Sequence, residues 1–109
     1  MRKRRAISIS ESATRDIEAI GLYIAENGDV VTAIRIMTEL EDRCNSLCEF
    51  AERGNRPKEL LAVGIGKYRE LHHKRYRIVY EVGSRDVTIH AILDGRRDME
   101  TLLRQRFAR

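Results

Sequence analysis

Between Tyr68 and Asp98 the chain reads YRELHHKRYRIVYEVGSRDVTIHAILDGRRD, and this stretch constrains everything else. It carries three alternating segments joined by turn chemistry, Lys74-Arg75 first and Gly83-Ser84-Arg85-Asp86 second, and it ends in a Gly-Arg-Arg knuckle. In the middle segment Tyr76, Ile78, Tyr80 and Val82 share one face and Arg77, Val79 and Glu81 the other, because side chains alternate along a strand. The last segment repeats the pattern, with Val87, Ile89, Ala91 and Leu93 opposite Thr88, His90 and Ile92. Three such strands form a β-meander that cannot bury its apolar face alone, so helices must cover it.

Those helices precede and follow it. Ala6–Ser10 alternates as a short first strand, after which Ser10 or Ser12 can cap a helix with Glu11 near its positive end. Ala13, Ile17, Ile20 and Ile24 line one face of that helix, which ends at Asn27-Gly28. A second, longer helix starts at Asp29 to Thr32. It runs to Arg53-Gly54 with Ala33, Met37, Leu40, Cys44, Leu47 and Ala51 down one side, widened by Ile34 and Ile36. Two helices so joined make an αα-hairpin. Asn55 to Gly66 reads as a loop whose Leu60, Leu61, Val63 and Ile65 pack down on something. Met99, Leu102, Leu103 and Phe107 form the apolar edge of a short last helix, and Arg104, Arg106 and Arg109 its cationic end. The order predicts an α+β fold, β-α-α-β-β-β-α, with an antiparallel sheet packed against an N-terminal αα-hairpin and a short C-terminal helix. A chain of 109 residues is expected to form one domain, 1–109.

Lys and Arg number 21 against 17 Asp and Glu, and this balance suits an anionic partner. No run approaches the roughly 18 apolar residues of a membrane span. The basic start, Met1 to Arg5, lacks the apolar segment of a secretory signal, so a cytoplasmic location is expected. Cys44 and Cys48, four apart on a helix, are expected as small core residues rather than a disulfide. With no second cysteine pair and His72, His73 and His90 all on strands, neither a metal site nor a cofactor is expected. Adjacent on a strand, His72 and His73 point to opposite faces and cannot share one task. Tyr76 and Tyr80 can stack nucleotides or fill the core beneath helices.

Element order and residues together resemble the RelE/ParE superfamily of bacterial type II toxins, the ParE branch in particular. The resemblance rests on Ser10-Glu11-Ser12-Ala13-Thr14-Arg15-Asp16-Ile17-Glu18-Ala19-Ile20-Gly21-Leu22-Tyr23-Ile24 in the first helix, and on Tyr68-Arg69-Glu70-Leu71. It continues in Tyr76-Arg77-Ile78-Val79-Tyr80 and in Asp94-Gly95-Arg96-Arg97-Asp98, so that it spans about Ile7 to Leu103. It implies a toxin that binds DNA gyrase and stalls it on cleaved DNA, neutralised by a cognate antitoxin in a hetero-oligomer. The target contacts would be Arg69, Arg96, Arg97, Arg104 and Arg106. The antitoxin would fold onto surplus apolar residues such as Leu22, Ile36 and Leu61.

Two alternatives stay open. Ribosome-dependent, mRNA-cleaving members of the superfamily need cations, which Arg69, Arg77, Arg96 and Arg97 could supply, together with a base and an acid. The family's frequent histidine before Gly-Arg is Asp94 here, so Asp94, Glu70 or His90 would have to be the base, and no matching acid is evident. A carboxylate at Asp94 more simply pairs with a neighbouring arginine. The second alternative is an inactive toxin fold or a nucleic-acid-binding module.

Overall fold

The computed structural model describes residues 4–108; residues 1–3, the first part of the basic start, and Arg109, read above as the end of a cationic helix terminus, lie outside the described residues. The elements run β1 (Ala6–Ile9), α1 (Glu11–Asn27), α2 (Val30–Asn45), α3 (Lys58–Leu61), β2 (Tyr68–His73), β3 (Tyr76–Val82), β4 (Asp86–Asp94) and α4 (Met99–Phe107).

Local chemistry sets the helical hairpin. Ser10, not Ser12, caps α1: its Oγ accepts from the Ala13 N–H at 3.1 Å. Asp29 caps α2, accepting from the Thr32 N–H at 2.7 Å and the Thr32 hydroxyl at 2.9 Å. The helices approach closely at Gly21, where an added Cβ would stand 2.3 Å from Met37 Sδ.

The second helix is shorter than its apolar spacing predicts. It stops at Asn45, where the Ser46 hydroxyl donates to the Arg43 carbonyl at 2.6 Å and competes with the helical ladder. Two 3-10 turns follow, Ser46–Cys48 and Ala51–Arg53, with Phe50 between them at φ 54°. Leu47 and Ala51 still point inward, carried by the turns instead of a helix. The expected loop from Asn55 to Gly66 contains α3, which buries Leu60 completely. It closes with Gly64 at φ 80°, the Ile65 N–H reaching the Leu60 carbonyl and the Gly64 N–H the Leu61 carbonyl.

The sheet order is β1-β4-β3-β2. The three meander strands are antiparallel as expected, and β1 joins alongside β4 in parallel, from Ala6↔Asp86 to Ile9↔Ile89. Strict alternation fails in β4. Tyr80 faces Ile89 but Val79 faces Ala91, so His90 is an extra residue in a β-bulge. The bulge exchanges faces for the rest of the strand: Ile92 joins Ile78 beneath the hairpin, whereas Ala91 and Leu93 turn to the opposite side.

Both faces of the sheet are therefore covered. The α1/α2 side buries Ile17, Ile36, Leu40, Tyr76, Tyr80 and Ile89, among others. The other side packs Tyr68, Val79, Ala91 and Leu93 against Leu60 of α3 and Met99 and Leu103 of α4. Two-sided burial explains the unbroken buried run from Tyr76 to Tyr80. Cys44 is a free thiol in the first cluster, and burial pushes its pKa up to about 12. The Tyr80 hydroxyl donates to the Ala51 carbonyl at 2.7 Å and accepts from the Gly54 N–H at 3.0 Å, so Tyr80 is a core residue and not a stacking platform.

Candidate functional site

At one end of the sheet the β2–β3 turn meets the β4–α4 turn. Lys74 sits at φ 55° in the first, and the Arg75 carbonyl accepts from the Gly95 N–H at 2.7 Å. Gly95 permits this approach, because an added Cβ would stand 3.0 Å from that carbonyl. The bolted turns and the outer side of α1 enclose a cleft of about 450 Å³, lined by Ile20, Tyr23, Arg75, Asp94, Arg96 and Arg97 among others.

Asp94 is clamped within it. Its Oδ1 accepts from the Arg96 main-chain N–H at 3.0 Å and its Oδ2 from Arg96 Nη2 at 3.0 Å, while Arg75 Nε lies 3.4 Å from Oδ2. Partial burial works to raise the Asp94 pKa, but the Arg96 hydrogen bonds and the charges of Arg96 and Arg75 hold it below the ordinary carboxylate value. Arg75 also lies over the Tyr76 ring, 5.2 Å from its centroid. Arg97 is exposed, and its guanidinium has no hydrogen-bond or ion-pair partner among the described residues.

The structure brings Asp94, Arg96 and Arg97 together and places the other sequence candidates elsewhere. Arg77 is a buried structural cation: Nε donates to Glu70 at 2.6 Å, and the two terminal nitrogens donate to Glu59 at 2.9 and 2.8 Å. Arg69 donates to the carbonyls of Glu52 and Gly54 at 3.0 and 2.8 Å, tying the 3-10 segment to β2. Arg104 pairs with Glu100 one turn earlier on α4. Arg106 is occupied by Asp16 and the His90 carbonyl, so its terminal nitrogens serve the fold.

Neither remaining candidate base lies with Asp94. Glu70 is buried beside Arg77 and Asn55. His90 contacts Glu81 at 3.0 Å and packs near Tyr68 and Phe107, whose ring centroids are 5.4 and 6.0 Å from its own. Among the apolar candidates Leu22 and Leu61 are exposed, whereas Ile36 is not available as surplus surface. It faces inward from α2 and is only 7% exposed in the main core.

Sequence reasoning missed Arg75, Tyr23 and Asp16. Arg75 was legible only as a turn residue, and Tyr23 stood beside the apolar stripe. Asp16, three residues after Ala13 and next to Ile17, was the readable signal: a carboxylate bordering a buried stripe needs a partner.

Among the described residues no group of three His, Cys, Asp or Glu could hold a metal ion, and no helix is long and apolar enough to cross a membrane. The family model for the ParE toxin of type II toxin-antitoxin system, parDE, matches residues 7–99. No curated protein sequence matches the chain. Among solved structures, the chromosomal ParDE TA system from P. aeruginosa contains a similar chain at TM-score 0.70 and 17% identity, covering 83% of this chain and 95% of that one. At that identity the likeness is one of fold. Family match and fold agree with the residue pattern, and the chain belongs to the ParE toxin family of type II toxin-antitoxin systems.

Proposed function

We propose that residues 1–109 act as one cytoplasmic toxin domain that arrests growth by binding DNA gyrase, without chemistry of its own, through the cleft around Arg96 and Arg97. The state of Asp94 carries this reading. A general base works best with a pKa near the operating pH, and Asp94 is held the other way by two arginines. The competing reading, ribosome-dependent mRNA cleavage, needs a base and an acid flanking one phosphate. Asp94, Glu70 and His90 are dispersed, and Arg69 and Arg77 are committed to the fold.

A cognate antitoxin is the second part of the proposal. Leu22, Val30, Val31 and Ile34 on the hairpin, Leu61 at the end of α3 and Val63 just after it are large apolar side chains in solvent. A flexible antitoxin segment that folds on docking would cover such residues and give a hetero-oligomer. Inducible expression without antitoxin tests both parts. Filamentation with gyrase-dependent DNA breaks, relieved by co-expressing the neighbouring antitoxin, is the expected result. Codon-phased transcript cuts would overturn it.

A further inference from the structure

The cleft continues past Tyr23. A second hollow of about 540 Å³ shares Tyr23, Arg75, Tyr76 and Arg96 with the first and extends to Asn27, Thr32 and Lys74. The two make one trough with the exposed Tyr23 ring at the join. Its cations are Lys74, Arg75, Arg96 and Arg97. Lys74 is paired with Glu39 at 3.1 Å, and Asp16 at the far wall is taken by Arg106. Asp94 then offsets one of the three remaining arginines, leaving an excess of about two positive charges.

We propose that this trough seats the phosphodiester backbone of a single nucleic-acid strand, with one base stacked on Tyr23. The inference rests on reading the cleft as the target-facing surface, and it names the ligand class there: nucleic acid held by the target, not the target's protein surface alone. An exposed aromatic ring beside the unpaired Arg97 guanidinium, with Arg75 and Arg96 sharing the single carboxylate of Asp94, matches a strand's alternation of flat base and charged phosphate. Hollows of this size admit a nucleotide, whereas a duplex would rest on the rim. An acidic polypeptide would use the cations but leave the ring without a flat partner.

The test is fluorescence anisotropy of a short labelled oligothymidylate with the full chain across a salt series. Saturable binding is expected, with a log–log salt slope of about −1.4 for two phosphates. Arg97→Gln should reduce that slope by about 0.7. Tyr23→Ala should weaken binding about fivefold or more while leaving the thermal midpoint unchanged. Arg85→Gln, which removes an exposed charge at the opposite end of β4, should change neither. The proposal is overturned by three results: no binding at low salt, equal weakening by Arg85→Gln and Arg97→Gln, or competition by polyglutamate with no effect of Tyr23→Ala. Gyrase-dependent DNA breaks in cells without oligonucleotide binding would sink this inference alone. Oligonucleotide binding without such breaks would sink the gyrase reading instead.

Discussion

Arg106 donates to both carboxylate oxygens of Asp16, at 3.2 and 3.1 Å, joining the last helix to the first across the sheet. The same carboxylate accepts the Ile92 main-chain N–H at 3.0 Å, beyond the last β1 pairing at Ile89. Asp16 therefore satisfies a strand amide just after the bulge and anchors α4 with one side chain. Asp16→Ala should destabilise the fold by roughly 1–3 kcal/mol, because it strands that amide and a part-buried guanidinium. Arg106→Gln should cost less, since Arg106 is 28% exposed and can be resolvated. Urea denaturation of the two single variants and the double variant checks this, with a coupling of at least about 0.5 kcal/mol expected.

Acid should loosen the other side of the sheet. Arg77 holds the Glu59 carboxyl at about 2, well below its ordinary 4.5, against the opposing effect of burial. A depressed carboxylate stabilises the fold fully above its unfolded pKa, and the contribution is lost as pH falls from 4.5 toward 2. Glu59 is only 12% exposed, so the loss is on the order of 2–3 kcal/mol. Glu39, hydrogen-bonded by His73, Lys74 and Arg35 and also held at about 2, titrates in the same window. Glu59→Gln should be less stable at neutral pH and show a shallower acid decline. Denaturant midpoints between pH 7 and pH 2.5 measure both.

The meander, the hairpin and the cap residues were legible because each rests on local chemistry: a period of two, a stripe at three-four spacing, a carboxylate or hydroxyl at a helix start. The face exchange in β4 was not. A bulge at His90 arises from pairing with β3, and a strand read alone keeps its alternation. The parallel β1 partner is likewise a long-range choice. At the site, Asp94, Arg96 and Arg97 were adjacent in sequence and easily grouped. Lys74 and Arg75 arrive from another turn through a main-chain bond to Gly95, which no local pattern encodes. Arg77 was legible as a cation with Glu70 in reach seven residues away on the neighbouring strand, but its second carboxylate, Glu59, and the Asp16 partner of Arg106 lie 18 and 90 residues away.

The three apolar residues first grouped as antitoxin contacts should separate cleanly. Ile36→Ala should cost about 2–4 kcal/mol, as for other deletions of a buried isoleucine. Leu22→Ala and Leu61→Ala, at 61% and 48% exposure, should stay within about 0.5 kcal/mol of the parent. Thermal denaturation of the lone chain gives this ranking. In a pull-down with the co-expressed antitoxin, Leu22→Ala or Leu61→Ala should reduce capture without loss of folded toxin.

Gly54 should tolerate no side chain. A Cβ there would lie 2.5 Å from the Glu70 carbonyl oxygen and 2.4 Å from the Tyr80 hydroxyl, and the backbone contact cannot swing away. Gly54→Ala is expected to destabilise by about 1–3 kcal/mol. Tyr80→Phe, which leaves the Ala51 carbonyl and Gly54 N–H unpaired, should cost a similar amount. Equilibrium unfolding of both variants decides whether this contact is as tight as its geometry.

Asp94→Asn separates contact from catalysis. The amide keeps the size of the side chain and can still accept the Arg96 main-chain N–H, but it releases the charge that holds Arg96 and Arg75. A cleft that works by contact then becomes more positive, and growth arrest after induction should persist or strengthen. A cleft that used Asp94 as a general base should instead lose activity by about 10²–10⁴-fold. Arg97→Gln supplies the opposite expectation, since it removes the exposed guanidinium without disturbing the clamp: arrest should weaken while the fold is retained. Growth curves for the two variants, with circular dichroism to confirm folding, give the answer. A folded Asp94→Asn variant that no longer arrests growth would restore the carboxylate to a reacting role.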